Sequence, residues 1–140
     1  MKILLPVDGS DYTKRTFAYI AAHDELLGAG HEYTVLTVVT PVPAHAARFL
    51  DRGALDDYYT EQAEEVLRPL RKFADQTGWK VRALHVQGHA AEAIAAFAAA
   101  EKPDLIVMGT HGHSSIGNVV LGSVANGVLA RCKVPVLLIR

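Results

Sequence analysis

Five strand-like runs recur along this chain, at residues 3–7, 33–39, 80–87, 105–108 and 134–139, and a stretch with helical spacing follows each of the first four. Regular alternation of this kind leaves few folds open. It implies a parallel sheet with helices on both faces and right-handed crossovers between successive strands. The first run, Ile3-Leu4-Leu5-Pro6-Val7, is apolar throughout and stops at Asp8-Gly9-Ser10, as a strand buried on both faces does. The second is rich in β-branched residues. The third alternates Val81, Ala83 and His85 against Arg82, Leu84 and Val86. The expected fold is α/β: one open, doubly wound, Rossmann-like sheet of five parallel strands in the order 3-2-1-4-5. The 140 residues suit a single domain over 1–140.

Between the strands, residues 11–27 place Phe17, Ile20, Ala21 and Leu27 on one helical face, with Ser10 or Asp11 as N-cap and Gly28 or Gly30 as stop. Residues 41–55, opened by Pro41-Val42-Pro43, form the longest irregular stretch, the kind that carries function or mobility. Residues 56–77 resume helical spacing up to Gly78, and Pro69 is expected to kink or split that helix. Its charged residues, Glu61, Glu64, Glu65, Arg68, Arg71 and Lys72, read as a solvated face with i, i+4 pairs. Residues 90–100 form an alanine-rich helix, and 124–132 the last one. Trp79 and His85 read as packing residues of the third strand, and Cys132 as a buried, inert thiol.

Composition narrows the partners. A formal net charge of −1 argues against a nucleic-acid-binding surface, which usually needs a basic surplus. The single cysteine, Cys132, permits no intrachain disulfide and points to a reducing compartment. The apolar run at the N-terminus is too short for a signal peptide, and no stretch approaches a membrane span, so a cytoplasmic location is expected.

In such folds ligands bind outside the carboxyl ends of the strands, where the strand order reverses. In the order 3-2-1-4-5 the reversal lies between strands one and four. Pro6-Val7-Asp8-Gly9-Ser10 would there face the loop GTHGHSSIGNVVLGS, residues 109–123, which holds four of the eleven glycines and no charged Lys, Arg, Asp or Glu. Glycines let backbone approach a ligand closely and adopt positive φ. Ser123 is placed to cap the last helix, whose N-terminal amides and dipole suit a phosphate. The same glycines would also serve the turns of a plain surface loop. Asp8 reads either as a ligand contact or as a turn former. His111 and His113 resemble a metal pair, but no third ligand is evident, which favours hydrogen bonding to phosphate or plain solvation.

The spacing Gly109-x2-Gly112-x9-Gly122-Ser123 resembles the nucleotide-binding signature of the universal stress protein family, in its ATP-binding subgroup. Ile3 through Ser10, Val107-Met108-Gly109-Thr110-His111-Gly112, Leu121-Gly122-Ser123-Val124-Ala125 and Val134-Pro135-Val136-Leu137-Leu138-Ile139 are similar to that family's opening, fourth-strand and closing segments. The resemblance covers the whole chain. It implies a stress-response protein that binds ATP with Mg²⁺ and acts as a nucleotide-dependent regulator or sensor, with an unknown downstream protein partner. By this resemblance Asp8, with Pro6 and Val7 before it, would meet the ribose or a metal at the phosphates. Val38 would meet adenine through its backbone, and Met108 and Gly109 would flank the ribose. His111, Gly112, Gly122, Ser123 and Val124 would hold the phosphates. The family often carries Arg or Lys between the positions of Gly112 and Gly122, and here there is none. Phosphate charge then falls to backbone amides, His113 or a divalent cation.

Efficient catalysis is not expected. No Gly-Lys-Ser/Thr occurs, and Asp8 is the only carboxylate assigned to the crevice, so slow ATP hydrolysis is the most it would support. A response-regulator receiver needs an acceptor Asp at the end of strand three, where this chain has Val86-Gln87-Gly88. An FMN module would place its phosphate loop at Asp8-Gly9-Ser10-Asp11, where two acids would repel the phosphate. The remaining alternative is a nucleotide-independent dimer acting through protein contacts. A homodimer is expected in either case. The last strand, Val134 to Ile139, lies at the sheet edge, is apolar and uncharged, and ends one residue before Arg140. The competing arrangement folds residues 41–55 over that edge.

Overall fold

Strand β1 (Lys2–Val7) runs through the middle of a five-stranded parallel sheet, with β2 (Glu32–Val39) on one side and β4 (Leu105–Gly109) on the other. Outside these lie β3 (Lys80–Gln87) and β5 (Val136–Ile139), giving the order β3-β2-β1-β4-β5. This computed structural model describes residues 1–114, 117–118 and 120–140. The expected sheet order is therefore present. No described helix is long and apolar enough to cross a membrane.

Alternation along the central strands divides the core into two layers. Ile3, Leu5, Val7, Val35 and Val107 pack on one face against Phe17 and Ile20 of helix α1 (Asp11–Ala22) and Ala63, Leu67, Leu70 and Ala74 of α4 (Arg52–Thr77). Leu4, Leu36, Ile106 and Met108 pack on the other against Ile94 and Ala98 of α5 (Ala90–Glu101) and Ala125 and Val128 of α6 (Ser123–Arg131). Each fully buried aliphatic side chain contributes about 1.5–3 kcal/mol. Trp79 precedes β3 rather than belonging to it, and stacks on Tyr33 with ring centroids 5.0 Å apart. Cys132 is half-buried against the second layer, not fully enclosed.

The expected helix over 11–27 is two helices, α1 and α2 (Asp24–Leu27). His23 separates them. Its Nδ1–H donates to the Tyr19 carbonyl at 2.7 Å, and its ring stacks on Tyr19 at 4.0 Å. That occupies the acceptor an uninterrupted helix would offer to the His23 amide, which donates to Ile20 instead. Ala21 is exposed, and the buried face is Thr13, Thr16, Phe17 and Ile20. Ser10 stands at the N-cap position without a capping side-chain bond.

The irregular stretch 41–55 is shorter than expected. It holds a one-turn helix α3 (Ala44–Ala47), and α4 already begins at Arg52, capped by Asp51 accepting from the Ala54 amide at 2.7 Å. The Val42 amide donates to the Tyr59 hydroxyl at 3.0 Å, which ties this segment to α4. Pro69 neither splits nor ends α4. Pro69 and Glu65, whose carbonyl loses its donor, both lie on the exposed face of the helix, open to solvent rather than to the core. On the same helix the ion pair is Arg71–Glu64 at 2.6 Å, seven residues apart rather than four.

Candidate functional site

β1 and β4 pair only through Ile3–Leu105 and Leu4–Ile106, whereas β1 and β2 stay paired from Lys2 to Val7. Beyond Leu4 the two central strands diverge toward their carboxyl ends. The divergence opens a crevice of about 240 Å³ at the point of strand-order reversal. Its β2 side is apolar, formed by Leu36 and Val38 together with Ala90 and Ile94 of α5. Its β4 side is polar, formed by the 109–114 segment and the start of α6.

Asp8 lies between the two sides. Its Oδ1 accepts from the Ser10 amide at 2.9 Å and the Thr13 hydroxyl at 3.0 Å, and its Oδ2 from the His113 amide at 3.3 Å. Burial pushes the Asp8 pKa up, but hydrogen bonding from Ser10 and Thr13 and the nearby His113 outweigh it, leaving the carboxyl below the ordinary aspartate value. Asp8 is therefore ionised at neutral pH. His113 Nε2–H donates to the Asp8 carbonyl at 2.6 Å, so the loop after β4 is fastened to the end of β1 at both backbone and carboxylate.

The positive φ expected of the loop glycines is not found at the three of the signature. Gly109, Gly112 and Gly122 do not have positive φ; of the described loop glycines, Gly117 does. What excludes a side chain at the three is the protein itself. A Cβ would stand 2.6 Å from Tyr12 Cβ at Gly109, 2.3 Å from Asp8 Oδ2 at Gly112, and 3.0 Å from the Thr110 carbonyl oxygen at Gly122. The glycines thus let segments of this chain approach each other and so shape the crevice wall.

Gly122, not Ser123, is the N-cap of α6, and Ser123 is its first residue. The Gly122 amide donates to the Thr110 carbonyl at 2.8 Å, and the Asn126 amide to the Gly122 carbonyl at 3.0 Å. Between them the first-turn amides, those of Ser123, Val124 and Ala125, have no acceptor within the helix, and all three residues line the crevice. His111 contacts the Thr110 hydroxyl through Nδ1 at 3.0 Å, and its ring lies 5.2 Å from that of Tyr12.

Every residue singled out from the sequence lines this one crevice: Pro6, Val7, Asp8 and Val38 on the first two strands, Met108 and Gly109 on β4, His111 and Gly112 after it, and Gly122, Ser123 and Val124 at α6. Sequence reasoning left out Thr13, Leu36, Ala90, Ile94, Ser114 and Ala125, which also line it. Among the described residues no group of three or more His, Cys, Asp or Glu could hold a metal ion. A cation at Asp8 would need further ligands beyond these side chains, such as water or the phosphates of a bound nucleotide.

A model of the universal stress protein family matches residues 1–140. A Thermus aquaticus universal stress protein, from the 3′ region of a QAH/OAS sulfhydrylase gene, is 38% identical over 138 residues, 99% of this chain and 97% of that one. The solved structure of Methanocaldococcus jannaschii MJ0577 superposes with a TM-score of 0.80 at 28% identity, covering 99% of this chain and 94% of that one. A universal stress protein solved in complex with cAMP superposes with a TM-score of 0.65 at 25% identity, covering 100% of this chain and 96% of the other.

Proposed function

Because this chain belongs to the universal stress protein family, we propose that it binds ATP with Mg²⁺ in the crevice between β1 and β4 and acts as a nucleotide-dependent regulator or sensor. The observation that carries this reading is the gradient across the crevice, from an apolar wall on β2 and α5 to the amide-rich N-terminus of α6. A base needs the first and a phosphate the second. The relative solved with cAMP supports a nucleoside phosphate as the ligand class. Val38 with Leu36, Ala90 and Ile94 would enclose adenine. Pro6, Val7, Met108 and Gly109 would border the ribose. His111, Gly112, Gly122, Ser123 and Val124 would hold the phosphates, and Asp8 the ribose or the cation.

The reading is of a binder rather than an efficient enzyme, since Asp8 is the carboxylate of the crevice lining and no lysine or arginine lines it among the described residues. Native mass spectrometry of the purified protein, with ATP–Mg²⁺ titrated against its melting temperature, tests it. Ligand at one hundred times its dissociation constant stabilises the fold by about 2.7 kcal/mol. No bound nucleotide and no thermal shift at millimolar ATP–Mg²⁺ would rule the reading out.

The edge strand supports a homodimer beside this reading, and equally its alternative, a dimer that acts through protein contacts without nucleotide. Residues 136–139 are apolar and border the sheet. The bond tying residue 42 to Tyr59 draws the 41–55 segment toward α4, whose sheet contacts are with β2 and β3, at the opposite side from β5.

A further inference from the structure

The crevice has an unusual charge balance for a nucleotide site, and the selectivity it implies rests on nucleotide binding there. Among its described lining residues the ionisable groups are Asp8, His111 and His113. Ser115, Ile116 and Val119 lie outside the described residues but carry no charge, and no Lys, Arg, Asp or Glu occurs from Gly109 to Ala130. Basic residues on the bordering helices do not line the crevice and have partners of their own. Arg15 lies over the Tyr12 ring at 5.0 Å, Lys14 meets Asp11 at 3.4 Å, and Arg131 meets the Gly127 carbonyl at 3.1 Å and Glu92 at 3.9 Å.

A phosphate in this crevice therefore meets the α6 N-terminus, equivalent to about half a positive charge, and a full negative charge on Asp8. Repulsion from Asp8 grows with each phosphate added, whereas the attraction of one helix terminus acts on the nearest phosphate only. The carboxylate is also placed to change sign in its effect. Ser10 and Thr13 hold Oδ1, while Oδ2 receives the longer 3.3 Å bond from the His113 amide. A divalent cation carried in on a polyphosphate would meet Oδ2 as a ligand, and the repelling group would become a bridge.

We propose that Asp8 makes the crevice selective for phosphate charge: it admits a nucleoside monophosphate as the free anion but takes a nucleoside triphosphate only together with a divalent cation.

Calorimetry on the full chain with AMP and ATP, each with Mg²⁺ and with EDTA at matched ionic strength, tests this. AMP affinity should change less than about twofold between the two conditions, and ATP should weaken by about tenfold or more in EDTA. Asp8→Asn keeps an oxygen acceptor for Ser10 and Thr13 but removes the charge. It should raise metal-free ATP affinity several-fold relative to AMP. Ser114→Lys, on an exposed lining residue, should do the same by adding the missing cation, and it serves should Asp8→Asn fail to fold. ATP binding equally well in EDTA and Mg²⁺, or a Mg²⁺ requirement untouched in folded variants, overturns the selectivity while leaving the nucleotide site standing. Failure of both AMP and ATP to bind in either condition overturns the nucleotide reading itself.

Discussion

Thr13 binds Asp8 twice: its hydroxyl accepts from the Asp8 amide at 3.1 Å and donates to the Asp8 carboxylate at 3.0 Å. One buried side chain on the first turn of α1 thereby sets both the backbone and the carboxyl of the residue at the mouth of the crevice. Thr13→Val keeps the shape and deletes both bonds. It should cost about 1–3 kcal/mol in a denaturant melt and weaken nucleotide binding beyond that expected from stability alone. Thr13→Ser keeps both bonds and should bind like the parent. If Val and Ser bind alike in calorimetry, Thr13 does not position Asp8.

Gly122→Val should shift the loop. The glycine sits at φ −69°, so its backbone suits any residue, but a Cβ would meet the Thr110 oxygen at 3.0 Å and His111 Cα at 3.2 Å. Relief requires moving the segment that carries His111 away from α6. The expected result is a stability loss of about 1–3 kcal/mol and a larger loss of ATP affinity. Unchanged affinity in the folded variant would separate this turn from the phosphate site.

Tyr33 gives the fold an alkaline limit. Its hydroxyl donates to the carbonyls of Leu27 and Gly28, and burial, with Asp24 nearby, pushes its pKa from the ordinary 10.0 up to about 12. The folded state holds this proton more tightly than the unfolded chain. The resulting stability is complete below pH 10 and is lost as the pH rises toward 12. Tyr33→Phe should cost about 1 kcal/mol at pH 7, and the gap between parent and variant should close across that window. Paired urea melts at neutral and alkaline pH check this, and a gap that stays constant contradicts it.

The edge of β5 offers a sharper test of dimerisation than a charged side chain would. The Pro135 and Ile139 carbonyls accept from β4, so with a period of two the groups of Val136 and Leu138 face outward. Leu138→Pro removes an outward amide and leaves the ladder to β4 intact. It should convert a dimer to a monomer in light scattering with a modest loss of stability. A parent protein that is already monomeric at micromolar concentration contradicts pairing through β5.

The sheet was legible because its signal is local and repeated: apolar runs such as Ile3–Val7 that end at Asp8-Gly9-Ser10 announce both the strand and its crevice-facing end. The two facing segments, Pro6 to Ser10 and from Gly109 onward, followed from strand ends and the glycine spacing, whereas Val38 and the individual roles came from the resemblance to the universal stress protein family. What escaped depended on side chains meeting across the fold. The break at His23 comes from its ring taking the Tyr19 carbonyl, a choice its neighbours in sequence do not encode. The start of α4 at Arg52 was obscured by Gly53, a weak helix former, in the first turn, although Asp51 before it is a favoured N-cap residue. Thr13 looked like an ordinary helix residue, and its five-residue offset from Asp8 gains meaning only once the turn through Gly9 brings the helix back over the strand end. Leu36, Ala90 and Ile94 were indistinguishable from core, since a base-binding wall and a helix-packing surface call for the same side chains.

The edge strand and the crevice are also joined by a short relay. The Thr110 amide donates to the Ile139 carbonyl at 2.8 Å, the Gly122 amide to the Thr110 carbonyl at 2.8 Å, and the Asn126 amide to the Gly122 carbonyl at 3.0 Å. Three hydrogen bonds in series therefore join the border of the sheet to the first turn of α6. A ligand that tightens this relay and a neighbour that docks on β5 act on neighbouring residues of one strand, Ile139 on its inner side and Leu138 on its outer side. By thermodynamic reciprocity, whatever factor the ligand imposes on docking, docking must impose on the ligand. A β5 dimer and a nucleotide-filled crevice would then be coupled equilibria wherever that factor differs from unity.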